Sequence, residues 1–238
     1  MLARIREALG AGASSTPPDS AGPTEIRLEG VLPPIPSAEL VPRFEEELRS
    51  VGGTCYRAST LADLDGIIRS VLTTSAATPS VVLSRHPLLG QLHLAERLRG
   101  LGISVAEYPD AALESPTALD QTYREQCFAA AAGITGVDFA LAESGSLVLS
   151  SVTEGSQLAS LAPPVHIALY RPQQAVAFLE ELLDALPVER SPNAPSPGRS
   201  VVFVTGPSRT ADIEQILIRG VHGPREVHAI LVEDSCLA

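Results

Sequence analysis

Three segments of this 238-residue chain place chemically able side chains beside glycines that expose them. The first is Glu143-Ser144-Gly145-Ser146, set between the apolar runs Asp138 to Ala142 and Leu147 to Ser150, so that one carboxylate stands at the tip of an expected β-hairpin. Such a carboxylate either is solvated, as turn residues commonly are, or lines a cleft as a nucleophile while the two hydroxyls and the Gly145 N–H orient a ligand. The second is Gly206-Pro207-Ser208-Arg209-Thr210-Ala211-Asp212, directly after the apolar run Val201 to Val204. There the Ser208 or Thr210 hydroxyl, free backbone N–H groups and Arg209 suit a phosphate or carboxylate, although either hydroxyl can equally be a plain helix cap. Asp212 and Glu214 already occupy the favourable end of the helix dipole expected to follow, and suit a ligand hydroxyl or ammonium group instead. The third is His222, between Gly220-Val221 and Gly223-Pro224, an exposed turn in which an imidazole of ordinary pKa, about 6.5, suits proton transfer. The expected site therefore has Glu143 and His222 as catalytic groups, and Ser144, Gly145, Ser146, Gly206, Ser208, Arg209, Thr210 and Asp212 as ligand contacts. No metal is expected in it.

The other reactive residue types carry less. His166 and His228 lie inside apolar strands and read as satisfied sheet histidines, while His86 and His93, seven residues apart rather than four, read as surface residues instead of a metal pair. Cys55, Cys127 and Cys236 match no zinc, iron–sulfur or secreted-disulfide spacing and read as reduced thiols, most of them buried. Neither a G-x-x-x-x-G-K phosphate loop, nor G-x-S-x-G, G-x-G-x-x-G or H-E-x-x-H occurs. A net charge of −11 without a basic patch, with only 4% aromatic residues, sets nucleic acid aside as a partner. No apolar run reaches the roughly 18 residues of a membrane span, and the charged N-terminus has no signal-peptide core, so the expected location is cytoplasmic.

The elements that must hold these residues alternate. Helices are expected over 38–51, 61–73 and 88–99, with strands over 54–58, 80–84 and 103–107, an order that implies a parallel sheet with right-handed crossovers. The runs Cys127 to Ala132, Asp138 to Ala142, Leu147 to Ser150 and His166 to Tyr170 follow with short connections, so at least one hairpin interrupts the parallel order. A helix is expected over 172–185, then strands at Val201–Val204 and Val227–Val232 around an amphipathic helix from Ile213 to Arg219. Residues 1–37 read as a short helix and a flexible tether, residues 38–238 as one α/β domain, and the Pro-rich stretch 187–199 as a long loop or a lid.

Three segments, in this order, resemble the LutC/YkgG family of lactate-utilisation proteins built on a LUD domain. They are Gly133-Ile134-Thr135-Gly136-Val137-Asp138-Phe139-Ala140-Leu141-Ala142-Glu143-Ser144-Gly145-Ser146, Leu161-Ala162-Pro163-Pro164-Val165-His166-Ile167-Ala168-Leu169, and Gly206-Pro207-Ser208-Arg209-Thr210-Ala211-Asp212-Ile213-Glu214 with Gly220-Val221-His222-Gly223-Pro224. The family commonly has threonines where Ser144 and Ser146 stand, and both hydroxyls are kept. The resemblance implies an α/β domain with a mixed, mainly parallel sheet flanked by helices, similar to the NagB/RpiA/CoA-transferase group. It also implies an accessory role in a cytoplasmic system that oxidises L-lactate to pyruvate, with iron–sulfur centres in partner proteins, no cofactor on this chain, and a small carboxylate or phosphate-bearing ligand. Two other readings stay open: a free-standing enzyme similar to CoA-transferases or ligases, using Glu143, and a pure interaction module.

Overall fold

The computed structural model describes residues 34–73, 79–109, 116–186, 200–211, 217–220 and 222–237. The expected N-terminal tether and the Pro-rich stretch 187–199 lie outside the described residues. Ile35–Ala238 forms one compact unit.

Its centre is a six-stranded, wholly parallel sheet built from β1 (Thr54–Ala58), β2 (Ser80–Leu83), β3 (Ser104–Glu107), β4 (Ala132–Thr135), β7 (Val165–Tyr170) and β12 (Glu226–Val232), in the order β1-β12-β7-β4-β2-β3. Every residue of β4 and β7 is buried, because parallel strands are covered on both faces and so carry continuous apolar runs. On one face Ile134, Ile167, Leu169 and Ile230 pack against helices Leu61–Thr73 and Leu94–Gly100 through Leu64, Ile68, Leu94 and Leu98. On the other, Ala168, Tyr170, Ala229 and Leu231 meet Phe44 and Leu48 of helix α1 (Ser37–Ser50), together with Ala140, Leu147 and Leu149 from a second sheet.

That second sheet has the order β8-β5-β6-β9, with β5 (Phe139–Leu141), β6 (Ser146–Ser150), β8 (Ala175–Val176) and β9 (Val201–Val204). β5 and β6 pair antiparallel around residues 142–145, which is the expected hairpin. β6 also pairs antiparallel with β9, with Leu147 opposite Val204.

Four elements differ from the sequence expectation. Leu217–Arg219 is not helical but forms β11, which pairs antiparallel with β10 (Arg209–Ala211). At Leu217–Arg219 cross-strand pairing outweighs the helical spacing seen in sequence, and residues 212–216, the rest of that stretch, lie outside the described residues. Residues 172–185 begin with a 3-10 turn, Pro172–Gln174, and β8; only Leu179–Ala185 is an α-helix. Gln174 holds the bend by donating to Val137 O and accepting from Arg171 N at 2.7 Å. Cys127 to Ala129 end the helix Pro116–Ala129 rather than begin a strand, with Tyr123 and Cys127 four apart on its buried side. The helix expected over 88–99 breaks at His93, whose φ of 48° is left-handed, into Pro87–Gln91 and Leu94–Gly100.

Candidate functional site

The hairpin tip is fixed on three sides. Ala142 and Glu143 donate their N–H groups to Val176 and Ala177 carbonyls at 2.8 and 3.1 Å, and Glu143 Oε1 accepts from Leu179 N at 2.9 Å. Gly145 has φ 63°, and a Cβ there would stand 2.2 Å from Leu48 N, so the hairpin lies directly on the end of α1 and only glycine fits. From this tip a chain of hydroxyls runs inward: Ser144 Oγ to Ser146 Oγ at 2.8 Å, and Ser146 Oγ to Thr205 Oγ1 at 2.7 Å. The register of β6 against β9 places Thr205 there, one residue beyond Val204.

Thr205 opens the second segment. Gly206, with φ 78°, would strike Val51 with a Cβ at 2.9 Å, and Arg209 donates through Nη2 to Val51 O, the carbonyl that follows α1. A cation at a helix C-terminus meets the negative end of the dipole, so Arg209 is anchored by the helix end and spends one of its donors there. Ser208 N donates to Pro224 O at 2.9 Å and Gly220 N to Ser208 O at 3.0 Å, tying the two Gly-Pro corners together. Gly206, Ser208, Arg209 and His222 thereby line one open pocket of about 470 Å³, walled on its apolar side by Val51, Leu161 and Phe203.

The expected site residues divide accordingly. Gly206, Ser208, Arg209 and His222 share the pocket; Ser146 reaches it through Thr205, and Ser144 stands one hydroxyl further out. Gly145 packs on α1, and the Glu143 carboxylate is held by Leu179 outside the pocket-lining set. Thr210 lies in β10, and Asp212 lies outside the described residues. With β10 following the corner, the turn after β9 is not a helix N-terminus, so the dipole argument for an anion there does not apply. Arg209 carries the positive charge.

The histidines sort by burial. His228 has both nitrogens engaged, Nδ1 with Tyr56 OH at 3.3 Å and Nε2 with Glu226 at 3.1 Å. His166 Nε2 meets Thr135 Oγ1 at 2.9 Å while its Nδ1 is unpartnered among the described residues, and burial holds its pKa down to about 3. His86 is not a surface residue: its Nδ1 accepts from Leu88 N at 3.2 Å, its ring packs on Gly136, and burial lowers its pKa to about 4. His93 is exposed, as expected.

Sequence reading missed Glu154. It ends the short helix Ser151–Glu154, is 0% exposed, and neither carboxyl oxygen has a hydrogen-bond partner among the described residues. Burial pushes its pKa up to about 8; the nearby Ser84 hydroxyl opposes the rise without completing a hydrogen bond, and the Asp138 carboxylate adds to it. In sequence, Thr153-Glu154-Gly155-Ser156 looks like any solvated loop, and no local signal marks the carboxyl as buried.

A sequence model of the LUD domain matches residues 41–232. The chain is 32% identical over 188 residues to Lactate utilization protein C of Geobacillus kaustophilus (strain HTA426), covering 76% of this chain and 73% of that one. It is 30% identical over 155 residues to the Escherichia coli (strain K12) protein YkgG, covering 65% of this chain and 63% of that one. Among solved structures, a DUF162 family protein from Deinococcus radiodurans superposes with a TM-score of 0.53 at 21% identity, over 84% of this chain and 99% of that one. That superposition speaks to the fold.

Proposed function

The chain belongs to the LUD-domain family, and from that premise we propose that it serves lactate utilisation as an accessory protein that binds a small carboxylate such as lactate or pyruvate in the Gly206–His222 pocket. The observation that carries this reading is the meeting of Arg209, Ser208 and His222 in one open pocket. Arg209 keeps N–H donors beyond the one given to Val51 O, and a carboxylate is their natural partner, since guanidinium and carboxylate pair through two parallel hydrogen bonds. The Ser208 hydroxyl then accepts from or donates to the same ligand, and His222 exchanges the proton of the 2-hydroxyl. Leu161 and Phe203, 40% and 44% exposed, give the carbon skeleton an apolar wall. Glu143 supports the hairpin in this reading, because its carboxylate is already engaged by Leu179.

Oxidising lactate to pyruvate removes two electrons and two protons. In this proposal iron–sulfur partner proteins of a cytoplasmic system take up the electrons, and this chain holds the substrate or presents it to them. Names of relatives such as Lactate utilization protein C support the pathway, and the pocket supports the ligand class.

The test is isothermal titration of L-lactate and pyruvate into the wild-type chain and into Arg209→Ala, with folding of both checked by circular dichroism. Loss of a charge-assisted pair is expected to weaken binding about tenfold or more. Equal affinities for the two proteins would remove Arg209 from the site, and no heat with the wild type would remove the ligand class.

A further inference from the structure

One polar residue in the wall of the carboxylate pocket still lacks a role. Thr205 is exposed and lines the pocket, and its Oγ1 lies 2.7 Å from the Oγ of Ser146, a residue only 3% exposed. Ser146 Oγ in turn lies 2.8 Å from Ser144 Oγ at the half-buried hairpin tip. Residues two apart along an extended chain share a face, so Thr205, one residue past β9, continues the side that carries Phe203. The hydroxyl chain therefore ends beside the apolar wall of the pocket.

This chain holds one hydrogen more than it uses. Each hydroxyl carries one hydrogen and two lone pairs. Its two internal bonds take two hydrogens, and the third is left at Thr205 or at Ser144, according to the direction in which the chain runs. Run one way, Thr205 presents a hydrogen to the pocket; run the other way, it presents a lone pair. Reversal needs only rotation of the hydroxyls, and hydrogen bonds in a row polarise one another, so a ligand at Thr205 sets the direction of all of them. Arg209 and the backbone N–H groups can only donate, which suffices for a carboxylate. A group that both donates and accepts suits an oxygen that is a hydroxyl in one ligand and a carbonyl in another. Because Ser146 is buried, it fixes where the Thr205 oxygen stands and leaves its polarity free.

We propose that Thr205 reads the 2-oxygen of the ligand, so that the pocket takes 2-hydroxy and 2-oxo acids alike and discriminates against the unsubstituted acid. Ser146 and Ser144 are positioning residues behind it. The inference rests on the carboxylate reading of the same pocket. While neutral His222 accepts the 2-hydroxyl proton, Thr205 donates to the same oxygen; when protonated His222 donates to that oxygen, the chain reverses and Thr205 accepts the hydroxyl hydrogen. With a 2-oxo acid Thr205 donates to the carbonyl.

The test is isothermal titration of L-lactate, pyruvate and propionate, which has no 2-oxygen, into the full chain and into Thr205→Val, Thr205→Ser and Ser146→Ala, with a melting temperature for each protein. Thr205 is exposed and valine is nearly isosteric, so the first variant is expected to fold. The wild type should bind lactate and pyruvate more tightly than propionate, and Thr205→Val should lose about fivefold for both and nothing for propionate, the worth of one net hydrogen bond. Thr205→Ser keeps the hydroxyl and should restore the selectivity, while Ser146→Ala should show a smaller loss for the same two acids. Equal binding of all three acids by the wild type, an unchanged affinity for lactate and pyruvate in Thr205→Val, an equal loss for all three acids there, a Thr205→Ser as weak as Thr205→Val, or an unchanged Ser146→Ala would each overturn the proposal. Lactate binding that falls in Arg209→Ala but not in Thr205→Val overturns this inference alone. No heat from any of the acids with the wild type overturns it together with the carboxylate reading.

Discussion

Replacing Glu154 by glutamine should change how stability depends on pH more than it changes stability itself. Burial raises the Glu154 pKa in the folded chain from the ordinary glutamate value of 4.5 to about 8. Below about pH 4.5 folded and unfolded chains both hold the proton, and the group imposes no pH-dependent cost. Between 4.5 and 8 the unfolded chain releases it while the folded chain keeps it, so stability falls as pH rises, by about 1.4 kcal/mol per unit. Over the whole window the cost is roughly 5 kcal/mol, comparable to the entire stability of many domains. Glu154→Gln removes the titration and keeps the shape. Its own buried amide costs a constant amount at every pH, so the diagnostic quantity is the slope of the difference. Urea unfolding followed by circular dichroism at pH 5, 6, 7 and 8 gives the difference directly, and taking it cancels every other titrating group. The variant should gain on the wild type by about 1.4 kcal/mol with each pH unit. A difference that stays flat from pH 5 to 8 would mean that Glu154 is ionised and solvated in the folded chain, and the account of it as a neutral buried acid would fail.

Other perturbations follow from the same physics. Gly145→Ala forces a side chain into the left-handed region and onto the Leu48 backbone, and should cost about 3 kcal/mol or more, read as a lowered urea midpoint; a loss under 1 kcal/mol would show that the hairpin does not sit on α1. His166 is held neutral by burial, its pKa down at about 3, so as pH falls below about 6.5 the unfolded chain takes a proton that the folded chain refuses, and stability is lost. His166→Gln keeps a partner for Thr135 and should become more stable relative to wild type by about 1.4 kcal/mol per unit between pH 6 and pH 4; parallel pH curves for the two proteins would contradict this.

The two halves of the fold were legible to different degrees. The helices near 37–50 and 61–73, the strands β1, β2, β3, β7 and β12 of the parallel sheet, and the hairpin around Glu143 follow from local periodicity and from glycine, because each buries a face that a short window of sequence already displays. The segment after Pro207 did not, since three or four apolar residues satisfy helical and strand spacing alike and the pairing of β10 with β11 decided between them. Residues 172–178 failed for the same kind of reason: Gln174 and the β5 edge dictate that bend, and both are distant in sequence from Ala175.

The site divides along a similar line. Sequence alone determined which residue types stand at turns, and through them the family, because glycine and proline act on their own backbone wherever the chain goes. Only the tertiary structure decided which turns share a pocket: α1, through Leu48 and Val51, brings Gly145, Gly206 and Arg209 to one helix end, while Glu143 is drawn away to Leu179. Only it, too, revealed the buried Glu154, since desolvation is a property of what packs around a group and is written in no stretch of sequence that contains it.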